Sequence, residues 1–266
     1  MFLGIDHLVF AVPDPDAAAD DVVRDLGLEA TGGGRHEALG THNRLVWLGD
    51  AYLELIGVFD RALAERSWIG MPTMRALDAG GGLATWAIAS DELDRDLAAL
   101  RSLGADLLEP TLGERLRADG TTVRWRLAAP RRLGPADPPF LIEHDPDGAE
   151  WTPAERTARA EQRHPVGGPV QLEILELTVD DVNATMQRFA RAAGLRFRPS
   201  LTGGGSRDAV VGAQTFRLRP RRGAGAQATA SIHLAVDGPI EPRTADLLGC
   251  HWVVRPVNQA GSPLSD

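Results

Sequence analysis

Apolar and polar positions alternate through Ile5–Val12, and the bulky β-branched and aromatic side chains there predict a strand. Pro13-Asp14-Pro15-Asp16 follows, an acid-and-proline start signal for a helix running to about Leu26. The glycine run Gly32-Gly33-Gly34 breaks the pattern. Alternation then resumes in two strands, His42–Leu48 and Ala51–Val58, joined by Gly49-Asp50 as a tight hairpin turn.

The same order recurs from Gly82. Leu83–Ala89 reads as a strand, and Asp91-Glu92-Leu93 opens a helix to Leu103 that Gly104 stops. Gly113–Arg117, Thr121–Leu127 and Phe140–His144 read as later strands, and Pro153–Arg163 as a connecting helix. A third, shorter pass has a strand at Leu172–Val179, a helix at Asp181–Ala193 ending at Gly194, and strands at Ala209–Arg219 and Ser231–Val236. The chain from Asn258 is expected to be frayed. This repetition, in copies of about 65–85 residues, predicts an α+β protein of repeated βαβββ modules, with curved mixed sheets and helices outside. The expected divisions are 1–80, 81–152 paired with it, and 153–266 holding the connecting helix and a partial third module. The competing reading is an ordinary α+β domain in which the recurrence is chance.

Charge and composition narrow the functions. No apolar run approaches the ~20 residues of a membrane span, and no basic-then-apolar leader opens the chain, so a cytoplasmic location with no membrane partner is expected. A net charge of −9 argues against nucleic acid, and the run Arg217–Arg222 reads as a solvated turn. Every one of the 28 basic residues is arginine, which excludes Schiff-base and P-loop chemistry because both need a lysine amine. The lone cysteine, Cys250, has no partner for a disulfide or a thiolate metal site.

Ile5-Asp6-His7-Leu8-Val9 with Pro13-Asp14, Gly34-Arg35-His36 with Gly40-Thr41-His42-Asn43, and Tyr52-Leu53-Glu54-Leu55-Ile56 together resemble the glyoxalase-like members of the vicinal-oxygen-chelate superfamily. Asp119-Gly120, Arg124-Trp125-Arg126-Leu127 and Phe140-Leu141-Ile142-Glu143 extend the resemblance into the second module. The resemblance implies paired modules whose sheets curl round a cup that often holds a divalent metal, with ligands from the first and fourth strands of each module. Carried over by position, His7, Glu54 and Glu143 would be metal ligands, with Glu54 and Glu143 also catalytic. A one-residue slip would put His144 in place of Glu143. Thr85 falls where a second histidine is expected, and the third module offers Ile174 and His233. One imidazole and two carboxylates suit Zn, Ni, Mn or Fe, but a threonine hydroxyl is a poor ligand, so the cofactor is one divalent metal or none. A bland reading stands beside each: His7 hydrogen-bonded to Asp6, Glu54 and Glu143 at a solvated rim, His233 as a structural histidine.

The candidate substrate-binding residues are Arg35, His36, Thr41, His42 and Asn43, in a segment expected to close one end of the cup or, alternatively, to form a self-satisfied turn. Arg124 and Arg126 share one face of their strand and would bind a substrate carboxylate if that face were the cup. Two functions follow from the resemblance: a metal-assisted lyase, isomerase or dioxygenase acting on a small oxygenated molecule, or a metal-free protein that binds or sequesters one. A vestigial cup serving as a scaffold is a third. The expected partner is a small-molecule ligand, and the expected assembly a monomer or small homo-oligomer.

Overall fold

Strand β1 (Gly4–Ala11) is buried along its whole length in a computed structural model that describes residues 2–223 and 229–257. The expected frayed end from Asn258 lies outside the described residues. Asp14 caps the helix that follows, α1 (Pro15–Leu26), by accepting from the amides of Asp16 and Ala17, and Gly27 ends it in the left-handed conformation. Strands β2 (Gly32–His36), β3 (Thr41–Leu48) and β4 (Ala51–Val58) complete a first βαβββ unit. Two short helices, α2 (Arg61–Ala64) and α3 (Gly70–Asp78), then cross to a second unit. That unit is β5 (Gly82–Ala89), α4 (Leu93–Ser102), β6 (Thr111–Leu116), β7 (Thr122–Ala128) and β8 (Phe140–His144).

These eight strands close into a barrel in the order β1-β4-β3-β2-β6-β7-β8-β5. Glycine makes the closure possible. A Cβ on Gly34 would lie 2.2 Å from the carbonyl oxygen of Leu116, so only a bare backbone lets β2 approach and pair with β6 through Arg35 and Leu116. The run expected to break the chain is therefore a strand, and the expected closing loop over Arg35–Asn43 is a hairpin between β2 and β3.

Helix α5 (Pro153–Glu161) leads to β9 (Val170–Val179), α6 (Val182–Ala193), β10 (Phe197–Pro199), β11 (Arg207–Val211) and β12 (Gln214–Pro220), and then to β13 (Ala230–Val236), β14 (Arg243–Leu247) and β15 (Cys250–Pro256). The single strand expected over Ala209–Arg219 is a hairpin turning at Gly212, whose φ is 59°. This second sheet has the order β10-β11-β12-β9-β13-β15-β14. It repeats the barrel's logic, since β9 is parallel to β12 and antiparallel to β13 just as β1 is to β4 and β5. With one strand fewer it stays open. The molecule is thus an α+β protein of repeated modules with mixed sheets curled round a cup and helices outside.

The two sheets share one core. Leu8 and Phe10 of β1 point towards the second sheet, where Phe10 meets Trp252 and Trp86 meets Phe216 at ring separations of 5.6 and 4.8 Å. Complete burial of Phe10 or Phe216 stabilises by about 1.5–3 kcal/mol. The alternate residues His7, Val9 and Ala11 point into the barrel, so strand alternation alone puts a histidine inside it. No described helix is long and apolar enough to cross a membrane.

Candidate acid–base site in the barrel

The barrel encloses a small cavity of about 40 Å³, walled by Tyr52, Trp68, Trp125, Phe140 and Trp151. Polar groups converge on it from six strands, β1, β2, β3, β4, β6 and β8, and from the segment after β8. His7 Nε2 stands 3.6 Å from Glu54 Oε2. Each group is held from behind: Asp6 Oδ1 lies 2.6 Å from His7 Nδ1, and Asn43 Nδ2 donates to Glu54 Oε1 at 2.6 Å. Asn43 is fixed in turn, because its Oδ1 accepts from the amide of Gly34. Tyr52 stacks on the His7 ring at 4.5 Å and sets its plane.

Asp6 reaches the same side as His7 because the β1–β5 register shifts between Ile5 and His7, a bulge that leaves Asp6 as the extra residue. Burial by itself would raise the Asp6 carboxyl, but the charge and hydrogen bonds of His144, and then of His7, outweigh it and hold Asp6 well below the usual carboxylate range. Asp6 is therefore an acceptor only, and His144 Nε2, 3.0 Å away, donates to it. That fixes the neutral His144 tautomer with a bare Nδ1, which is buried without a partner. Arg115 of β6 closes the floor, clamped by Glu150 through contacts of 2.6 and 2.5 Å, with its Nε also buried and unpartnered. An unsatisfied buried polar group costs about 1–3 kcal/mol, so these atoms are places where a ligand gains by binding.

The residues anticipated from sequence divide by strand face. His36, Thr41 and Asn43 are buried, with His36 and Asn43 lining the cavity and Thr41 bonded to His36 Nδ1 at 3.0 Å. Arg35 points outward and stacks on Phe59, and His42 packs edge-on against the same ring. Arg124 and Arg126 do share a face, but Trp125 between them takes the barrel side. Arg124 meets Glu114 and Arg126 binds Asp94 and Glu143, and both arginines line a wider groove beside the cup rather than the cup itself. Glu143 is turned out of the cup, where it accepts from the Leu93 amide at the start of α4. His144 occupies the inward position, the outcome of the one-residue slip. His7 and Glu54 are brought together; Glu143 is not with them. Sequence reasoning missed Arg115, Glu150 and Trp151, which carry no local pattern and meet the cup only through barrel closure.

The donor set decides how well a divalent metal suits this cup. His7, Glu54 and His144 have the backing hydrogen bonds that metal ligands usually carry. Of the facing strands, β5 presents Ala87 and Thr85, whose buried hydroxyl has no partner, and β8 presents Phe140, Ile142 and a single imidazole, His144. Among the described residues no group of three His, Cys, Asp or Glu side chains is placed to hold a metal. The expected centre of His7, Glu54 and Glu143 is therefore not assembled, because Glu143 faces away from the cup.

Residues 5–193 match the family described as a glyoxalase-like domain. The chain is a glyoxalase-like protein of the vicinal-oxygen-chelate superfamily. Its fold extends over nearly all of a hypothetical protein from Staphylococcus aureus, with a TM-score of 0.73, 14% identity, and coverage of 95% of this chain and 99% of that one. Methylmalonyl-CoA epimerase from Streptomyces coelicolor, solved in complex with 2-nitronate-propionyl-CoA, aligns at a TM-score of 0.41 and 21% identity over 54% of this chain and 99% of its own. The Mycobacterium tuberculosis epimerase aligns at 0.41 and 24% over 54% and 89%. No functionally curated protein matches the chain.

Beside the cavity lies a wider groove of about 620 Å³ that shares His144, Trp125 and Trp151 with it. His144 and Trp151 stack at 3.5 Å and form the partition. The inner cavity has room for the reacting end of a molecule, about three water-sized volumes, and the groove for the remainder.

Burial pushes the His36 pKa down from 6.5 to about 4, with Arg115 adding to the effect and Glu54 opposing it. His36 is thus neutral when folded but takes up a proton when unfolded as the pH falls below 6.5, so stability rises with pH between about 4 and 6.5. Acidification across that window is expected to lower the melting temperature. His144 and His233 shift the same way. Replacing His36 with glutamine should lessen the slope by about one proton, as read from melting temperatures taken at half-unit pH steps. An unchanged slope would show that His36 titrates normally.

Proposed function

We propose that this chain is an acid–base enzyme of the lyase or isomerase class that moves a proton at a carbon beside a carbonyl in a small oxygenated molecule. His7 and Glu54 are the proton-carrying groups. The observation that carries this reading is their placement, 3.6 Å apart on one wall, each braced from behind by Asp6 or Asn43. Two such groups side by side reach neighbouring atoms on the same face of a substrate, as a shift between a hydroxy-carbonyl compound and its enediol requires. Glu54 Oε2 takes the proton from carbon, and the His7 ring, held by Asp6, handles the proton on the adjacent oxygen. Arg115 and its unpartnered Nε–H supply donor capacity and positive charge for the negative oxygen that develops. The tryptophan and phenylalanine walls exclude water, which strengthens these interactions.

A second reading rests on the narrowness of the cavity and its aromatic walls: the cup binds and sequesters a small molecule without turning it over. Trp125 and Trp151 report directly on entry. Tryptophan fluorescence titrated with short α-keto acids, α-hydroxy ketones and vicinal diols, alongside product analysis, separates the two. Saturable quenching with product formation supports the enzyme, and saturable quenching without product supports sequestration. No quenching by any of these compounds would remove both readings of the cup.

A further inference from the structure

The second sheet turns one face to the barrel and one away. Leu175, Leu177, Phe216, Leu218, Ile232 and Trp252 face the barrel core, so strand alternation sends Glu176, Arg217, Arg219, Ser231, His233 and His251 to the far side. There they line a cavity of about 390 Å³, walled on one side by the turn holding Thr202, Gly203 and Gly204. The charged side chains on its lining are Arg217, Arg219 and Arg222 against a single carboxylate, Glu176. With Asp208, which pairs with Arg217 from behind, three guanidiniums meet two carboxylates, a positive balance of one in a chain whose net charge is −9.

We propose that this face is a second ligand site, separate from the barrel cup, which takes the oxyanion group of a small molecule, a phosphate or a carboxylate. Arg217 is 9% exposed and held rigid, since Asp208 receives its Nε and Nη2 at 2.7 and 3.0 Å. A buried, clamped guanidinium is preorganised and loses little freedom on binding an anion. Arg219 donates through Nη2 to Thr178 Oγ1 at 3.2 Å, and its Nε lies 3.1 Å from Glu176 Oε1, which fixes the guanidinium at the rim of the cavity. His233 supplies a neutral donor. Arg255 Nη2 lies 3.5 Å from His233 Nδ1, and because a guanidinium only donates, Nδ1 is the acceptor and the ring proton sits on Nε2. Burial, and then the charges of Arg255 and Arg217, press His233 down to about 4, which fits a positive field at the centre of the site. Arg222 fastens the glycine turn through the Gly204 carbonyl at 2.8 Å. Residues 5–193 are the family match, so β11 to β15, which carry most of this face, lie beyond it. The site therefore stands or falls independently of the cup.

Calorimetric titration of the full chain with inorganic phosphate, and separately with acetate, tests this. Saturable binding of at least one anion is expected, weakened at least tenfold in Arg219→Gln and in His233→Phe. Arg219→Lys should retain part of it, and Glu54→Gln should leave it unchanged. Stronger binding of phosphate than acetate would assign a phosphorylated ligand, and the reverse a carboxylate. Melting temperatures identify any variant that loses binding by unfolding, and the remaining variants then decide the case. Absence of saturable binding for both anions, or binding equally strong in folded Arg219→Gln and His233→Phe, would overturn the proposal.

Discussion

Replacing Glu54 with glutamine is expected to cut turnover of an accepted small carbonyl substrate by about 10²–10⁴-fold, the usual contribution of a positioned acid–base group. The substitution is close to isosteric. Asn43 Nδ2 now donates to Glu54 Oε1 at 2.6 Å and would still find the amide oxygen of glutamine there. What disappears is the capacity to take a proton at Oε2, the atom facing His7. The loss should therefore appear mainly in kcat, with KM little changed, because the hydrogen bonds and aromatic walls that bind substrate remain. Steady-state kinetics with parallel thermal melts check this. Full kcat in a folded Glu54→Gln protein would place the proton transfer elsewhere.

The second large effect concerns stability. Arg115 and Glu150 are 4% and 7% exposed and meet through a doubly contacted ion pair. Truncating Glu150 to alanine strands a guanidinium inside the barrel, and breaking a buried pair from one side costs about 3–5 kcal/mol. Glu150 also lies 3.5 Å from Arg117, so its loss leaves a second cation less well paired. The double variant Arg115→Met with Glu150→Leu should regain much of the lost stability, because no charge is then left buried and unpaired. Urea unfolding of the single and double variants distinguishes these cases. A cost below about 1 kcal/mol for Glu150→Ala would mean that water reaches the pair and the cavity floor is open.

Much of the architecture was legible because period-two alternation and helix start signals are local. The strand through Ile5–Val12, the Asp14 cap and the Gly49-Asp50 hairpin all follow from neighbouring residues. His7 and Glu54 were legible only through the family resemblance, carried over by strand position, while the residues by themselves leave a structural histidine and a rim carboxylate open. Side-chain direction on β7 and β8 was not legible. It depends on how the barrel closes, and closure turns Trp125 and His144 inward and sends Arg124, Arg126 and Glu143 out. The role of Asp6 depends on a bulge, which shifts the register by one residue and leaves no mark in the hydrophobic pattern. Arg115 and Glu150 are 35 residues apart, and only the tertiary fold pairs them. Helices α2 and α3 were missed because α3 begins without a side-chain cap and α2 is only four residues long.

The central claim is that His7 and Glu54 move a proton in the cup without help from a bound metal. Solvent-deuterium exchange tests it most directly, followed by NMR at the carbon beside the carbonyl of a compound that quenches Trp125 and Trp151. Chelator-treated wild-type protein, His7→Gln and Glu54→Gln would be compared. Exchange that survives chelation in the wild type and falls at least a hundredfold in both variants is the expected result. Exchange that vanishes on chelation and returns with a divalent metal, or that persists in both variants, would contradict the account.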